Sequence, residues 1–364
     1  MSATLSGTDS LLLGIETSCD ETAAAVVEGG RVIHSNVIAS QVDIHARFGG
    51  VVPEVASRKH AEVISAVVEQ ALVEAGVGWK DLAGIAVTHG PGLVGSLLVG
   101  VAAAKGYALA TGLPLIGVNH VEAHLLANFL RMPEEERSPA LDLFPSVCLI
   151  VPGGHSDLVL VKGLGNYQIL GATRDDAAGE AMDKAARVLG LGYPGGPAID
   201  RSSREGDRTA VNFPRPVVPK TLDFSFSGLK TALLREVQSR YGNATKGGAQ
   251  GIDAPTKEIA DLAASFQEAV VDTLTRNLIE AAAQYGARQV MLAGGVAANS
   301  RLREKVRQWS ERHGVPACFP PLRLCTDNAA MVGAAGFFGA QGRGWDSLDL
   351  DVFSAMPITE RTVP

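Results

Sequence analysis

Residues 119–127 read NHVEAHLLA, with His120 and His124 four positions apart and Glu122 between them. On a helix that spacing puts both imidazoles on one face, about 40° apart. Such a pair is a bidentate metal clip, although a His pair covering a helix has the same spacing. A third ligand candidate is Asp327, in LRLCTDNAAMVG, just ahead of the last apolar helix. Locally its position predicts an N-cap, where an Asp oxygen accepts amide hydrogen bonds. Joined to the two histidines it would complete a two-His, one-carboxylate set. That set suits Fe(II), accommodates zinc, and leaves positions open for a substrate oxygen. Glu122 argues against a protease helix. HExxH places its Glu one residue after the first His, beside the metal-bound water. Here the Glu comes two residues on, about 200° around the helix from His120. It is expected to face away from the clip, as a supporting, packing or protein-contact residue.

Three Gly-rich or polar turns have the character of anion sites, because glycine lets exposed amides approach a phosphate. ETSCDET and VPGGHSD each join the first two strands of a half of the chain, and AGGVAAN joins a strand to a helix. A helix start adds its dipole to such a loop. A Gly turn between strands is ordinarily only a hairpin, but the equivalent placement of the first two makes a pair. Two such hairpins resemble the nucleotide clamp of the actin, Hsp70 and sugar-kinase superfamily. Neither a Walker A loop nor a dinucleotide fingerprint is present. Asp20 and Glu21, in the first turn, are candidate proton acceptors, or else solvated turn acids; no general base is assigned.

The elements that must carry these residues follow from periodicity. LLLGIET, TAAAVVE and RVIHSNVI read as three strands, then a helix from Glu54 to Ala75 buries Val63, Ile64, Val67, Val68, Ala71 and Leu72. Strand GIAVTHG, a helix from Leu93 to Ala110, strand LPLIGV and the His-bearing helix follow. The second half repeats the order, with SVCLIVPGG, SDLVLVKG and NYQILGAT, then helices over 177–189, 227–240 and 256–285. Strand RQVMLAGG, helix AANSRLREKVRQWSERHG, a short strand PACFPP and a helix over 328–339 complete it. This order predicts an α/β protein of two duplicated domains flanking a cleft; with the paired hairpins it resembles the actin/Hsp70/sugar-kinase-like (ASKHA) domains, whose cleft holds a nucleotide. The first is expected over 11–130, completed by the C-terminal helix 328–352. The second is expected over 140–327, with irregular insertions near 205–255 that include GGAQGIDAP and PRPVVPKTLDFSFSG.

The chain has 364 residues, enough for two or three domains, and a formal charge of −7. A protein that grips nucleic acid alone usually shows a basic face, so any such face is local or lent by a partner. Arg58, Lys59 and His60 form one basic cluster; Arg301, Arg303, Lys305 and Arg307 form another. Cys19, Cys148, Cys318 and Cys325 show no paired zinc spacing, which points to reduced thiols and the cytoplasm. No export signal is read at the start. GPGLVGSLLVGVAAAKGYALATG is broken by glycines and Lys105, so it reads as a buried helix rather than a membrane span.

GIETSCDET, GGVVPEVASRKH, THGPGLVGSLLVG, NHVEAH, GGHSDL, DDAAGEAMDKAARVLGLGYPGGPAID, FSFSGLKTA, GGVAANSRLR and CTDNAAMVGAAG together resemble the TsaD (Gcp) family. The resemblance runs in order from about Leu11 to Gly339. It implies a tRNA N6-adenosine threonylcarbamoyltransferase, moving a threonylcarbamoyl group from threonylcarbamoyl-AMP to N6 of adenosine 37 in tRNAs that read ANN codons (t6A formation). It implies His120, His124 and Asp327 as metal ligands, for Fe(II) first and zinc second. It implies substrate contacts at Ile150, Val151, Pro152, Gly153, Gly154, Asp183, Gly196, Asp200 and Asn299. Asn299 would meet the adenosine, and the two carboxylates suit ribose hydroxyls better than phosphate. The family usually has Ser where Pro152 stands, so one amide and one hydroxyl are missing from that turn. The implied partners are tRNA, a TsaB-like paralogue and a TsaE-like ATPase. The first long helix and the His-bearing helix offer apolar faces for that paralogue, and a homodimer is the alternative. Competing readings are the metalloendopeptidase of an older family name (O-sialoglycoprotein endopeptidase), a small-molecule kinase of the same superfamily, and a scaffold.

Overall fold

The computed structural model describes residues 5, 7, 9–135, 143–242 and 255–359. The stretch GGAQGIDA of the expected insertion lies outside them. The chain divides into two compact units: Met1–Asp142, Gly163–Tyr167 and Pro320–Pro364 form unit 1, and Leu143–Lys162 with Gln168–Phe319 form unit 2.

Unit 1 is built on five strands: β1 (Leu11–Glu16), β2 (Glu21–Glu28), β3 (Val32–Ser40), β4 (Leu82–Gly90) and β5 (Leu115–Asn119). Their order is β3-β2-β1-β4-β5, antiparallel through the first hairpins and parallel from β1 to β4 to β5. β1 and β2 are continuous apolar runs because both faces of the sheet are covered, whereas the edge strand β3 alternates. After a single turn, α1 (Val42–Ala46), comes α2 (Pro53–Ala75). Proline opens α2 within its first turn, and Gly76, at φ 68, closes it. Ile64, Val67, Val68, Ala71 and Leu72 are buried on it as expected, with Val63 half-buried.

Helix α3 (Val94–Thr111) packs on β4 and α2. By length and composition it could cross a membrane, and only 33% of it is buried. The buried helix expected from sequence is therefore buried on one face: Leu97, Val101, Ala104 and Ala108 point inward, while Val94, Leu98 and Leu109 are exposed. The short α4 (His120–Leu126) follows β5 directly.

Unit 2 repeats the plan. β6 (Ser146–Ile150), β7 (Asp157–Gly163) and β8 (Asn166–Ala172) precede α5 (Ala178–Leu189), α6 (Gly195–Ser203), α7 (Ser227–Tyr241) and α8 (Thr256–Gln284). β9 (Gln289–Ala293), α9 (Ser300–His313) and β10 (Ala317–Cys318) complete it. The sheet order β8-β7-β6-β9-β10 is that of unit 1, strand for strand. α8 is buried nearly all round, packed on β6, α6 and α9. The sequence pattern missed α6, because YPGGPAID looks like a loop. The stretch over 214–226 is irregular, as expected.

The last helix, α10 (Ala329–Arg343), returns to unit 1 and lies on β1. The approach is close enough that a Cβ on Gly14 would stand 2.2 Å from the Ala329 carbonyl oxygen. That return carries Asp327 into the same unit as the histidines.

Candidate metal centre and substrate turns

β5 ends at Asn119, whose Oδ1 accepts from the Val121 and Glu122 amides at 2.9 and 3.2 Å. This cap starts α4 at His120, so His120 and His124 share one face with ring centroids 4.6 Å apart. Asp327 is not the cap of α10. Asn328 takes that position, its Oδ1 accepting from the Met331 amide at 3.1 Å. Asp327 is thereby released, and its Oδ1 lies 3.1 Å from His124 Nε2 and 3.5 Å from His120 Nε2. The donor atoms of the three residues lie within 4.8 Å of one another.

Behind His120 stands Glu16, at the end of β1 and fully buried. Its Oε2 is 3.1 Å from His120 Nδ1 and accepts from Thr88 Oγ1 at 2.7 Å, while its Oε1 accepts from the Ser18 amide at 2.5 Å. Ser18 Oγ also approaches His120 Nδ1, at 3.2 Å. Nδ1 is thus occupied, and Nε2 is the nitrogen turned to Asp327. A carboxylate behind a ligating imidazole fixes its tautomer and raises its basicity. Glu16, Ser18 and Thr88 were missed in the sequence. The available signal was an acid closing the apolar strand LLLGIE, since a buried charge requires partners.

The electrostatics describe a site short of positive charge. Burial opposes the charged form of His120, yet Glu16 and Asp327 outweigh it and raise its pKa to about 9. Burial would likewise raise Asp327, but the charge of His120 and the bond from His124 hold it down at about 2. Burial lowers His124. A buried carboxylate, Glu16, and a half-buried one, Asp327, therefore face two imidazoles that supply one proton's charge between them. A divalent cation in place of that proton balances the two carboxylates, and the donor set is two imidazoles and one oxygen. The residues fit a metal ion.

Glu122 faces elsewhere, as its angular position required. Its Oε1 accepts from Tyr167 Oη at 2.8 Å. Asp20 and Glu21 are half-buried rather than solvated. Burial, with the Asp327 charge adding to it, raises Asp20, and burial lifts Glu21 to about 7. Glu21 Oε2 is buried with no hydrogen-bond partner. A carboxyl near neutrality can both take and release a proton at physiological pH.

In unit 2, β6 ends at Ile150 and enters the second turn. The Val151 amide donates to the Ala293 carbonyl at 2.8 Å, and its carbonyl accepts from the Val296 amide at 2.9 Å. The turn is thus tied to the AGGVAAN loop. Gly294, at φ +85, passes so near that a Cβ would stand 2.4 Å from the Pro152 nitrogen. Pro152 is buried against it, while Gly153 and Gly154 are exposed, with nothing within 4 Å of where a Cβ would sit. Ser156 Oγ accepts from the Ala178 amide at 2.9 Å and caps α5, whose own N-cap residue is an alanine.

Asp183 on α5 accepts from the Gly195 amide at 2.7 Å and so holds the start of α6. Burial raises its pKa against that bond and the one from Gly196. Gly196 faces open space. Asp200 accepts from the Ser300 amide and hydroxyl at 3.1 and 2.7 Å. Asn299 is committed inside the fold: its Oδ1 caps α9 through the Leu302 amide at 3.0 Å, and its Nδ2 donates to Gln267 at 2.7 Å. The cap and the Gln267 bond each use one of the two bonding positions on Oδ1 and Nδ2.

Neither basic cluster is a bare cationic face. Arg58 pairs with Glu54 and Lys59 with Glu62, and His60 is buried against Thr22 and the Cys19 carbonyl. Arg301 and Lys305 both bind Glu268, at 2.7 and 2.6 Å, and Arg303 and Arg307 lie over the Phe319 ring.

A family model described as tRNA N6-adenosine threonylcarbamoyltransferase (TsaD) matches residues 32–334. A relative of that name in Thermomicrobium roseum is 51% identical over 362 residues, covering 97% of this chain and 98% of its own. Another, in Dehalococcoides mccartyi, is 52% identical over 350 residues, covering 96% and 99%. Among solved structures, the HypF of T. kodakarensis aligns with a TM-score of 0.58 at 16% identity, over 93% of this chain and 48% of that one. A full-length HypF aligns with a TM-score of 0.57 at 13% identity, over 94% and 48%. These two likenesses concern the fold alone.

Proposed function

Because the chain belongs to the TsaD family and is a tRNA N6-adenosine threonylcarbamoyltransferase, we propose that its donor is threonylcarbamoyl-AMP and that His120, His124 and Asp327 hold a divalent metal ion for the transfer. The acceptor is N6 of adenosine 37 in tRNAs reading ANN codons. In the reaction the N6 nitrogen bonds to the carbamoyl carbon, the bond from that carbon to the phosphate oxygen breaks, AMP leaves, and N6 gives up a proton. The observation that carries this reading is the trio itself, with Glu16 behind His120, in a chain half-identical to named transferases.

A bound divalent ion supplies electrostatic stabilisation of charge that develops on the donor. The donor set suits Fe(II) and accommodates zinc. Glu16 and Ser18 keep His120 Nε2 turned toward Asp327. In unit 2, Gly153 and Gly154 leave backbone open for the adenylate, beside the start of α5. Asp183, Gly196 and Asp200 line the neighbouring helix starts, where carboxylates suit ribose hydroxyls. Asn299 serves by holding the AGGVAAN loop. We place the work in the cytoplasm, with the tRNA. The acidic balance and the paired basic clusters favour partner proteins in tRNA binding, a TsaB-like paralogue and a TsaE-like ATPase. The exposed apolar residues Val94, Leu98 and Leu109 of α3 support such a partner. α4 offers no face for one, since all but Glu122 of it is buried.

The protease reading is not favoured, because Glu122 is bonded to Tyr167 and away from the trio. The test is mass spectrometry of tRNA nucleosides after depletion and complementation. Loss of t6A, restored by wild type but not by His120→Ala, is the expected result; unchanged t6A on depletion rejects the reading.

A further inference from the structure

Beyond α10 the chain stays in unit 1 and runs as a strap, over 344–359, along the edge strand β5 and past the end of β4. Asp346 forms an antiparallel bridge with Leu115: its amide donates to the Leu115 carbonyl at 2.8 Å, and its Oδ2 accepts from the Gly117 amide at 2.7 Å. Further on, the Phe353 amide donates to the His89 carbonyl at 2.8 Å. His89 Nδ1 lies 3.0 Å from the Asp351 carbonyl oxygen, which can only accept, so Nδ1 donates. A Cβ on Gly90 would stand 2.7 Å from the Phe353 carbonyl oxygen, so strand and strap are in direct contact. Met356 and Ile358 then bury their side chains and anchor the end.

The strap reaches the metal trio by two routes. The first is Asn119, buried where β5 meets α4. Its Oδ1 accepts from the Val121 and Glu122 amides, and its Nδ2 donates to the carbonyls of Met356 at 3.1 Å and Pro357 at 3.3 Å. All four bonding positions of the amide are filled, so its orientation is fixed. A cap requires only an acceptor oxygen, which Ser, Thr or Asp also supplies. The two donors are what asparagine adds, and both go to the strap. The second route runs through the turn after β4. The Gly92 amide donates to the Ser354 carbonyl at 3.3 Å, and the Leu93 amide to the Ser18 carbonyl at 2.8 Å. Ser18 Oγ in turn lies 3.2 Å from His120 Nδ1.

α4 has seven residues, and a helix that short has little stability of its own. A ligand set needs its side chains held to within about 0.5 Å. We propose that the strap is part of the frame of the metal centre, and that Asn119 is a positioning residue through which it holds His120 and His124 in place. This rests on the reading of His120, His124 and Asp327 as metal ligands.

The test is the zinc affinity of the full chain, by chelator competition. Asn119→Asp keeps the capping oxygen and the size, but sets an acceptor against two carbonyls. It also adds negative charge beside the trio, which by Coulomb attraction alone would tighten binding. A loss of about tenfold or more is expected instead, with faster hydrogen exchange of the amides over 120–126. The double variant Met356→Ala, Ile358→Ala changes no residue of α4 or the trio and should also lose affinity. Combined with Asn119→Asp it should lose little more, since both cut one connection. Leu278→Ala, buried on α8 in unit 2, should lower the urea midpoint and leave zinc affinity unchanged, which separates positioning from general destabilisation. A wild-type chain that binds no zinc would overturn the ligand reading and this proposal together. Wild-type affinity in both strap variants, additive losses in their combination, or an equal loss in Leu278→Ala would overturn this proposal alone.

Discussion

Asp327 and Asn328 are neighbours with separate tasks, and the division can be measured. Asn328→Ala removes the cap of α10 and is expected to lower stability by about 1–2 kcal/mol in urea unfolding. Asp327→Asn should change stability less, in chelator-treated protein, yet lose bound metal in elemental analysis and lose t6A formation. The reverse pattern would assign the cap to Asp327. Glu16 acts one step further out. Glu16→Gln keeps the shape but not the charge behind His120, and is expected to weaken metal affinity about 10–100-fold in chelator competition. Retention of full affinity would show that the buried carboxyl is structural only.

Helix α10 is positioned by small residues rather than large ones. Gly14 admits the Ala329 carbonyl, and Gly333 sits over Val27, so the helix lies directly on β1 and β2. Gly14→Ala has no room to relax, because the obstacle is backbone, and should cost about 2–3 kcal/mol or prevent folding. Gly106, inside α3, has open space where a Cβ would go. Gly106→Ala should therefore stabilise by up to about 1 kcal/mol, since alanine is the better helix former. Chemical denaturation of both variants checks the pair, and a shared sign would contradict the packing described.

At the scale of the whole molecule, ionic networks set the response to acid. Glu268 on α8 lies between Arg301 and Lys305 of α9, and Lys305 also binds Asp272. Burial would raise Glu268, but the hydrogen bonds and charges of Arg301 and Lys305 hold it at about 2, below its ordinary 4.5. A depressed carboxylate contributes fully above its unfolded pKa, and the contribution is lost as pH falls from about 4.5 toward 2. Glu268→Gln should flatten the acid limb of the stability profile in that window, by about 1–3 kcal/mol after allowance for solvent screening. An unaltered acid limb would mean that other carboxylates govern it.

The sequence by itself determined the strand order, its duplication, every long helix, the shared face of His120 and His124, and the aim of Glu122 away from them, though not α6. All of these follow from local periodicity, which the backbone obeys whatever it later packs against. Local rules also misassigned Asp327 as a cap, because two adjacent side chains can both do that work and only the packed turn selects Asn328. They passed over Glu16, and they could not show that Asn299 caps a helix or that Arg58, Lys59, Arg301 and Lys305 are ion-paired within the fold. Whether a polar group is bound or bare depends on partners tens to hundreds of residues away. Only the return of α10 to the first sheet brings Asp327 to the histidines, and chain periodicity carries no record of that contact.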